Sequence, residues 1–289
     1  MKDWSVSELK EVARLIRRDV LVMTRVAESG HPGGPLSAAD YITALYFRVA
    51  RLDPAKPDWE GRDRIIISNG HCSALNYSVM ARRGYFEPSE LLSFRVTGSR
   101  LQGHPNRLKL PGLEASTGSL GQGLSQGVGM ALGARLDDRD TRIFVNVGDG
   151  ELQEGSCWEA MMSAAHYRCE RLFMLVDDNN AQIDGFVSDV MGVQPLDDKI
   201  RAFGWNVLVC DGHDMEAILS SYDKALALEN GKPTALIFKT KMMCGVASFE
   251  DQPGWHGKPL DEESLTIALR ELGFNQSPSE AIAEIGGSR

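Results

Sequence analysis

Asp149 and Asn179 are the residues of this chain whose types and spacing most directly suggest chemistry. Asp149 lies in the run Gly148-Asp149-Gly150, and Asn179-Asn180 follows after a further 28 residues. Carboxylate and amide oxygens are hard ligands, and such a pair suits a Mg²⁺ or Ca²⁺ ion that carries a diphosphate. The flanking glycines allow the backbone to turn tightly and to approach phosphate oxygens closely. The spacing therefore indicates a site for a metal ion and a diphosphate.

The elements around these two residues predict where they lie. Residues 142–147 and 172–176 are short apolar runs that predict buried strands, and 159–167 has the composition of a connecting helix. In such a unit, both ligands follow the carboxyl ends of parallel strands, where open α/β sheets bind their ligands. The same alternation continues along the chain, so we expect a doubly wound, mainly parallel α/β sheet flanked by helices. The further predicted strands are 64–68, 206–210 and 234–238, and the further predicted helices are 5–23, which opens with a capping box, and 218–228.

The histidines add a second group of candidate site residues. Five of the six lie beside glycine, four of these are the candidates, and none has the spacing of a zinc site. We interpret the four as separate donors that converge on an anionic or oxygen-rich ligand. We expect His166, which has no neighbouring glycine, and His213, which follows Gly212, to be structural. The four candidates are His31, His71, His104 and His256.

The composition excludes several classes of function. Hydrophobic residues make up 43% of the chain and charged residues 25%, which are ordinary values for a globular domain. A net charge of −9 argues against nucleic acid as a partner. Five scattered cysteines, without the spacing of a metal site or a disulfide framework, fit a reducing compartment. The sequence has no signal peptide and no apolar run long enough to cross a bilayer, so we expect a cytoplasmic protein without a membrane partner.

Several motifs together resemble the amino-terminal, diphosphate-binding domain of thiamine-diphosphate-dependent transketolases. They occur in family order from about residue 10 to residue 265, so the resemblance covers nearly the whole chain. The metal motif alone fits any thiamine-diphosphate enzyme, whereas the Gly-His-Pro-Gly run and the glycine-rich segment favour transketolase. The matching segments are 29–34, 68–71, 103–105, 117–123, 148–155, 178–185 and 254–257.

The resemblance implies thiamine diphosphate and a divalent cation as cofactors. The cation is expected to be Mg²⁺, with Ca²⁺ or Mn²⁺ as substitutes. In the family pattern, Asp149 and Asn179 supply side-chain oxygens to this ion, and Ala181 supplies a backbone carbonyl. The residues implied in binding the rest of the cofactor are His71, Gly118, Leu120, Gly150, Ile183 and His256.

The resemblance also implies an activity, the transfer of a two-carbon ketol unit from a ketose phosphate to an aldehyde acceptor. His31, His104 and His256 are implied as the catalytic histidines that contact the sugar and the transferred unit. Glu154 is implied as the residue that reaches a carboxylate of the partner subunit. Asn106, Ser119 and the loop 241–245 depart from the family pattern, and Asn106 and this loop could alter substrate preference.

The length of the chain bears on its partners. At 289 residues it can form one large α/β domain, which we take to span 1–289. A complete transketolase resembles three such domains, and the carboxylate that protonates the aminopyrimidine of the cofactor belongs to the second. The start at Met1, ahead of a well-formed helix start, favours the N-terminal subunit of a split transketolase over a truncated piece. We expect an α2β2 assembly with a C-terminal subunit that carries the pyrimidine-binding domain, and a loosely ordered polar tail over 271–289.

Three alternatives stay open at this stage. A subunit of another thiamine-diphosphate enzyme, such as a 2-oxoacid dehydrogenase E1 α chain or a 1-deoxyxylulose-phosphate synthase, shares the metal motif but not the four glycine-flanked histidines. A non-catalytic homologue retains only the cofactor or partner surface. A nucleotide-binding protein is disfavoured, because the chain lacks both Gly-x-x-x-x-Gly-Lys-Ser/Thr and a Gly-x-Gly-x-x-Gly run after a strand.

Overall fold

The computed structural model describes residues 3–287, so Met1 lies outside the described residues. Five parallel strands form the central sheet, and two further short strands pair as a separate antiparallel hairpin. The strands are β1 (Arg64–Ile67), β2 (Ile143–Gly148), β3 (Leu172–Asp178), β4 (Ala181–Gln182), β5 (Gly185–Phe186), β6 (Asn206–Asp211) and β7 (Thr234–Lys239). The order across the central sheet is β1-β2-β3-β7-β6.

Ten α-helices surround this sheet within the described residues. Short 3-10 turns follow several strands, and none of the described helices is both long enough and apolar enough to span a membrane. The helices are α1 (Val6–Val26), α2 (Gly33–Ala44), α3 (Ser73–Arg83), α4 (Gln122–Leu136), α5 (Gly155–His166), α6 (Val187–Met191), α7 (Leu196–Ala202), α8 (Met215–Leu226), α9 (Glu262–Glu271) and α10 (Pro278–Ile285).

Each central strand contributes to two hydrophobic cores because its side chains alternate between the faces of the sheet. On one face, Phe144 and Leu175 pack with α1, α2, α3, α8, α9 and α10. On the other face, Val145 and Met174 pack with α4, α5 and α7. Burial on both faces explains why these strands read as continuous apolar runs in the sequence. The doubly wound α/β fold that the sequence predicted is confirmed.

The local predictions are largely confirmed as well. Every predicted strand is present, and its ends lie within two residues of the predicted ones. The capping box at the start of α1 is formed, since Ser5 accepts the Glu8 N–H while Glu8 accepts the Ser5 N–H. The predicted helices 159–167 and 218–228 begin earlier than expected, at Gly155 and Met215.

The expectation of a loosely ordered tail over 271–289 is wrong for its described part. Helix α10 begins with a second capping box at Ser277, and its apolar residues are buried against α1 and α9. Arg18 of α1 also pairs with Glu284 at 2.7 Å. Ser277 and Glu280, followed by the apolar residues of 281–285, are a local signal for this helix that the sequence reasoning missed. Residues 288–289 lie outside the described residues.

Candidate active site

One cavity at the carboxyl-terminal edge of the sheet collects the residues that the sequence singled out. It has a volume of about 470 Å³ and lies among the segments that follow β1, β2 and β3 and the loops that carry the histidines. Every residue predicted for the site lines this cavity, which is the location expected for a ligand of an open α/β sheet. These residues are His31, His71, His104, Gly118, Leu120, Asp149, Gly150, Glu154, Asn179, Ala181, Ile183 and His256.

Asp149 lies directly after β2, with its carboxyl group buried under the cavity. Its Oδ1 accepts the backbone N–H of Gly150 at 2.8 Å, and its Oδ2 accepts that of Asn180 at 2.6 Å. Burial, together with the nearby carboxyl groups of Asp177 and Asp178, raises the pKa of Asp149 to about 8 in spite of these bonds. A divalent cation relieves such crowding of negative charge, so this donor set fits a metal ion.

Asn179 follows β3, and hydrogen bonds hold its amide on both sides. Its Nδ2 donates to Ser37 Oγ and to Asp177 Oδ2, each at 3.1 Å, and its Oδ1 accepts the Ala181 N–H at 2.9 Å. The Asp177 carboxylate also accepts the hydroxyl protons of Ser37 and Thr240, each at 2.5 Å. Burial nevertheless raises the pKa of Asp177 to about 6. This network fixes which face of the amide presents oxygen.

Three histidines form a compact cluster on the other side of the cavity. The ring centroids of His31, His71 and His256 lie 5.0–5.6 Å apart. Burial and the neighbouring rings lower the pKa of His31 to about 4 and that of His71 to about 3. Burial also lowers the pKa of His256 and of His104. The cluster is therefore neutral near pH 7, so each ring offers one donor and one acceptor.

Two atoms of this cluster lack partners. The Nδ1 atoms of His31 and His256 are buried without a hydrogen bond. A buried polar group without a partner is costly, so such atoms mark places where a ligand completes the bonding. The backbone also packs closely against this histidine cluster, since a Cβ atom at Gly257 would lie 3.1 Å from the His31 ring.

The glycine-rich segment 117–123 approaches the cavity through its backbone. A Cβ atom at Gly70 would lie 2.6 Å from the carbonyl of Thr117, and one at Gly118 would lie 3.4 Å from the His104 ring. Gly121 adopts a φ of +81°, which L side chains rarely adopt. Glycine at these positions lets the segment lie close to the turn that carries His71.

Sequence reasoning missed three charged residues beside the cavity. Asp177 orients Asn179, as described above, and it lies in the Asp-Asp pair just before the predicted ligand. Glu151 is buried two residues after Asp149, and burial raises its pKa to about 7. Arg95 contributes to lowering the pKa of His104, and its buried Nε has no partner. The two acids could have been found from their positions beside the motifs, whereas no pattern in the sequence pointed to Arg95.

Several other residues lie outside this cavity. His213 is structural as predicted, since its Nδ1 contacts Asp40 at 3.0 Å and its Nε2 accepts the Lys241 N–H at 2.9 Å. Asn106 caps a surface turn by accepting the Leu108 N–H. The loop near residue 243 packs behind the start of α2 rather than against the cavity. Asn106 and the loop 241–245 are therefore not among the residues that line the cavity, whereas Ser119 lies between Gly118 and Leu120, which do line it.

A second depression, of about 450 Å³, lies at the opposite edge of the sheet, near the starts of β2 and β3. It is lined by arginines that pair with neighbouring acids, such as Arg171 with Asp140 at 2.8 Å. Its paired side chains are largely exposed, as Arg171 and Asp140 show, whereas the histidine-lined cavity combines buried unpartnered nitrogens with perturbed carboxyl groups and is therefore the candidate active site.

The fold and the site define a class of protein. It is an α/β protein in which an acidic turn and a neutral histidine cluster face one cavity, the arrangement that suits a metal-bound diphosphate cofactor. A family model described as transketolase, thiamine diphosphate binding domain, matches residues 8–286. The chain therefore belongs to the transketolase family.

Two relatives are similar to this chain over nearly the whole of both sequences. A protein of Clostridium sp. (strain MSTE9), called 6-deoxy-6-sulfo-D-fructose transketolase subunit SqwG, is 38% identical over 92% of this chain and 96% of its own length. A protein of Actinobacillus succinogenes, called a subunit of apulose-4-phosphate transketolase, is 38% identical over 93% of this chain and 97% of its own length. The similarity thus covers nearly the whole of two proteins that are called subunits.

Solved structures agree in fold and differ in length. Transketolase from Leishmania mexicana has a TM-score of 0.88 and 32% identity, covering 96% of this chain and 44% of that one. Transketolase from Campylobacter jejuni has a TM-score of 0.88 and 32% identity, covering 99% and 46%. The chain spans less than half of these enzymes. It corresponds to the thiamine diphosphate binding domain of transketolase, as the sequence predicted.

Proposed function

We propose that this subunit, together with a C-terminal partner, transfers a two-carbon ketol unit from a phosphorylated ketose to an aldehyde acceptor. The observation that carries the proposal is the single cavity that joins the acidic turn to the histidine cluster. The turn suits a metal ion with a diphosphate, whereas the neutral rings suit the hydroxyl groups of a sugar. The family match supports this interpretation over a 2-oxoacid dehydrogenase or a 1-deoxyxylulose-phosphate synthase.

In this proposal, Mg²⁺ takes oxygens from Asp149, Asn179 and the Ala181 carbonyl. Two observations support the fit, namely the crowded carboxyl groups at the turn and the hydrogen bonds that orient the Asn179 amide. Ca²⁺ or Mn²⁺ can replace Mg²⁺, because each accepts oxygen ligands. The His71 ring faces the diphosphate, and Gly150, whose N–H donates to Asp149 Oδ1, lines the same side of the cavity. The aminopyrimidine end meets the backbone at Gly118 and Leu120, and Ile183 packs beside the thiazolium.

Thiamine diphosphate, when bound, supplies the carbon nucleophile and the electron sink for cleavage of a ketose carbon–carbon bond. The protein orients the sugar and handles protons. His31 and His256 hold hydroxyl groups of the ketose, and their unpartnered Nδ1 atoms support this role. His104 lies at the exposed edge of the cavity and contacts the sugar nearer to solvent.

We propose that the C-terminal partner carries the pyrimidine-binding domain and covers the open side of the cavity in an α2β2 assembly. Exposed apolar side chains at the rim support a protein partner there, since Ile183 is 66% exposed and Met191 is 63% exposed. Glu154 is exposed beside them and lines the cavity, where it can reach a carboxyl group of the partner. Two relatives that are called subunits support the need for a second chain.

We propose a cytoplasmic location, where sugar phosphates and reduced thiols occur together. All five cysteines are free, and three of them are buried as small apolar residues. The names of the two relatives give different ketoses, so the substrate panel includes pentose phosphates, a branched ketose phosphate and a sulfonated ketose.

The proposal is tested with the complex purified after co-expression with the candidate partner subunit. We expect Mg²⁺-dependent binding of thiamine diphosphate and ketol transfer from at least one ketose of the panel. Asp149→Ala weakens cofactor binding at least 100-fold, because it removes a metal ligand, while the fold survives. Asp223→Ala, an exposed change on α8, serves as the matched control and leaves binding unchanged. Absence of cofactor binding in the wild-type complex overturns the proposal in favour of a non-catalytic homologue.

A further inference from the structure

Glu151 is a buried carboxylate in the short turn between the metal-binding turn and α5, and its side chain is only 3% exposed. It accepts three hydrogen bonds. Its Oε1 accepts the Ser68 hydroxyl at 2.5 Å and the Gly121 N–H at 2.8 Å, and its Oε2 accepts the Gly148 N–H at 3.2 Å. The group has no role in the proposed mechanism so far, although it lies under the cofactor cavity.

The three donors belong to three different walls of the cavity. Ser68 follows β1 and leads into the turn with His71, and Gly121 ends the segment that carries Gly118 and Leu120. The third donor, at residue 148, immediately precedes Asp149. One carboxylate therefore joins the diphosphate side of the cavity to its aminopyrimidine side.

Ser68 takes part in a fourth contact of this group. Its Oγ accepts the Gly123 N–H at 3.1 Å and donates to Glu151 Oε1. All three neighbours of the carboxylate are therefore donors, and an amide in its place presents a donor to at least one of them. Hydrogen bonds to a carboxylate are stronger than hydrogen bonds between neutral groups, so Glu151 holds its three donors strongly in place.

These walls pack closely and are held together by hydrogen bonds, among them the bond from Thr117 Oγ1 to the Ile67 carbonyl at 2.8 Å and the bonds of Glu151. A Cβ atom at Gly121 would lie 2.4 Å from Ser156 Oγ, and one at Gly123 would lie 2.4 Å from Ser68 Oγ. The backbone here is too close for interlocking side chains. The spacing of the walls therefore depends on hydrogen bonds, and Glu151 accepts three of them.

We propose that Glu151 is a positioning residue that sets the distance between the metal-binding turn and the aminopyrimidine segment, so that the cavity is preformed for thiamine diphosphate. The inference rests on the proposed function. Glu151 acts through backbone groups and contacts no reacting atom. Its loss is therefore expected to weaken cofactor binding while sparing the chemical step at saturating cofactor.

The test measures the thiamine diphosphate Kd, and the kcat and KM of the complex with its partner subunit, for E151Q, E151A and S68A. We expect a Kd raised about tenfold for E151Q and about 100-fold for E151A, because one and three donors respectively lose their acceptor. At saturating cofactor, kcat and the ketose KM stay within about threefold of wild type. The double variant E151Q/S68A is expected to raise the Kd by less than the two single effects combined, since the two residues share one bond.

Matched controls are E159Q and S163A on α5, which lie away from the cavity and leave the Kd unchanged. If E151A does not fold, E151Q and S68A decide the matter. A wild-type Kd in E151Q overturns the inference, and so does a fall in kcat at saturating cofactor with the Kd unchanged. A wild-type complex that binds no thiamine diphosphate overturns the proposed function instead, so the two failures are distinguishable.

Discussion

Gly70→Ala is the substitution for which the structure gives the clearest expected consequence. Gly70 opens the turn that carries His71, and its φ lies outside the left-handed region. The added methyl group therefore causes no backbone strain of its own. It would lie 2.6 Å from the Thr117 carbonyl and 2.8 Å from the Gly118 N atom. Both neighbours are backbone atoms, so no side-chain rotation relieves the clash.

The displacement follows from these distances. Ordinary contact begins near 3.4 Å, so restoring it separates the two segments by about 0.8 Å. Overpacking of this kind costs about 1–3 kcal/mol, which lowers the Tm of a chain of this size by about 2–5 °C. Misplacement by about 1 Å costs on the order of 100-fold in activity, because Gly118 moves relative to the diphosphate site.

Differential scanning fluorimetry measures the Tm of the free chain, and thiamine diphosphate titration measures cofactor affinity in the complex. Gly129→Ala is the control for stability, because a Cβ atom at this helical position meets nothing within 4 Å. Alanine there raises stability by up to about 1 kcal/mol, as it does in helices generally. Wild-type cofactor affinity in Gly70→Ala would show that the 117–123 segment tolerates the shift, and would refute this reasoning.

Three further predictions concern stability and metal dependence. His71 has a folded pKa of about 3 against 6.5 in the unfolded chain, so it stays neutral while the unfolded chain takes up a proton as pH falls below 6.5. The neutral His71 therefore lowers the free energy of unfolding by about 2 kcal/mol at pH 5, which is 1.5 pH units below 6.5. Between pH 7.5 and pH 5, the free energy of unfolding measured in urea is therefore expected to fall by about 2 kcal/mol less in His71→Asn than in the wild type. An equal fall in both proteins contradicts the assignment. The control is His166→Asn, at an exposed histidine. Ala281→Asp places a charge at a fully buried site of α10 and is expected to lower the free energy of unfolding by about 3 kcal/mol or more. Ser279→Asp, at an exposed position of the same helix, is expected to leave stability unchanged. Equal Tm values for the two variants argue against a docked helix. Excess EDTA is expected to release thiamine diphosphate from the complex and Mg²⁺ to restore it, as followed by equilibrium dialysis, and retention in EDTA contradicts the metal assignment.

The sequence predicted most of the sheet because the central strands are buried on both faces and read as apolar runs. It predicted α1 from a local capping box between Ser5 and Glu8. It missed α10, although Ser277 and Glu280 form the same kind of capping box. The docking of this helix on α1 could not be predicted, since Arg18 and Glu284 lie 266 residues apart. A local pattern carries no information about a partner so far along the chain.

The sequence by itself determined the types and order of the site residues, since Asp149, Asn179 and the glycine-flanked histidines occur in recognisable motifs. Only the tertiary structure decided which of them meet and what their electrostatic state is. The unpartnered nitrogens of the histidine cluster and the three bonds of Glu151 depend on distances between segments that are remote in sequence. Hydrogen bonding and desolvation act over a few ångströms, so they are fixed by packing and not by order along the chain.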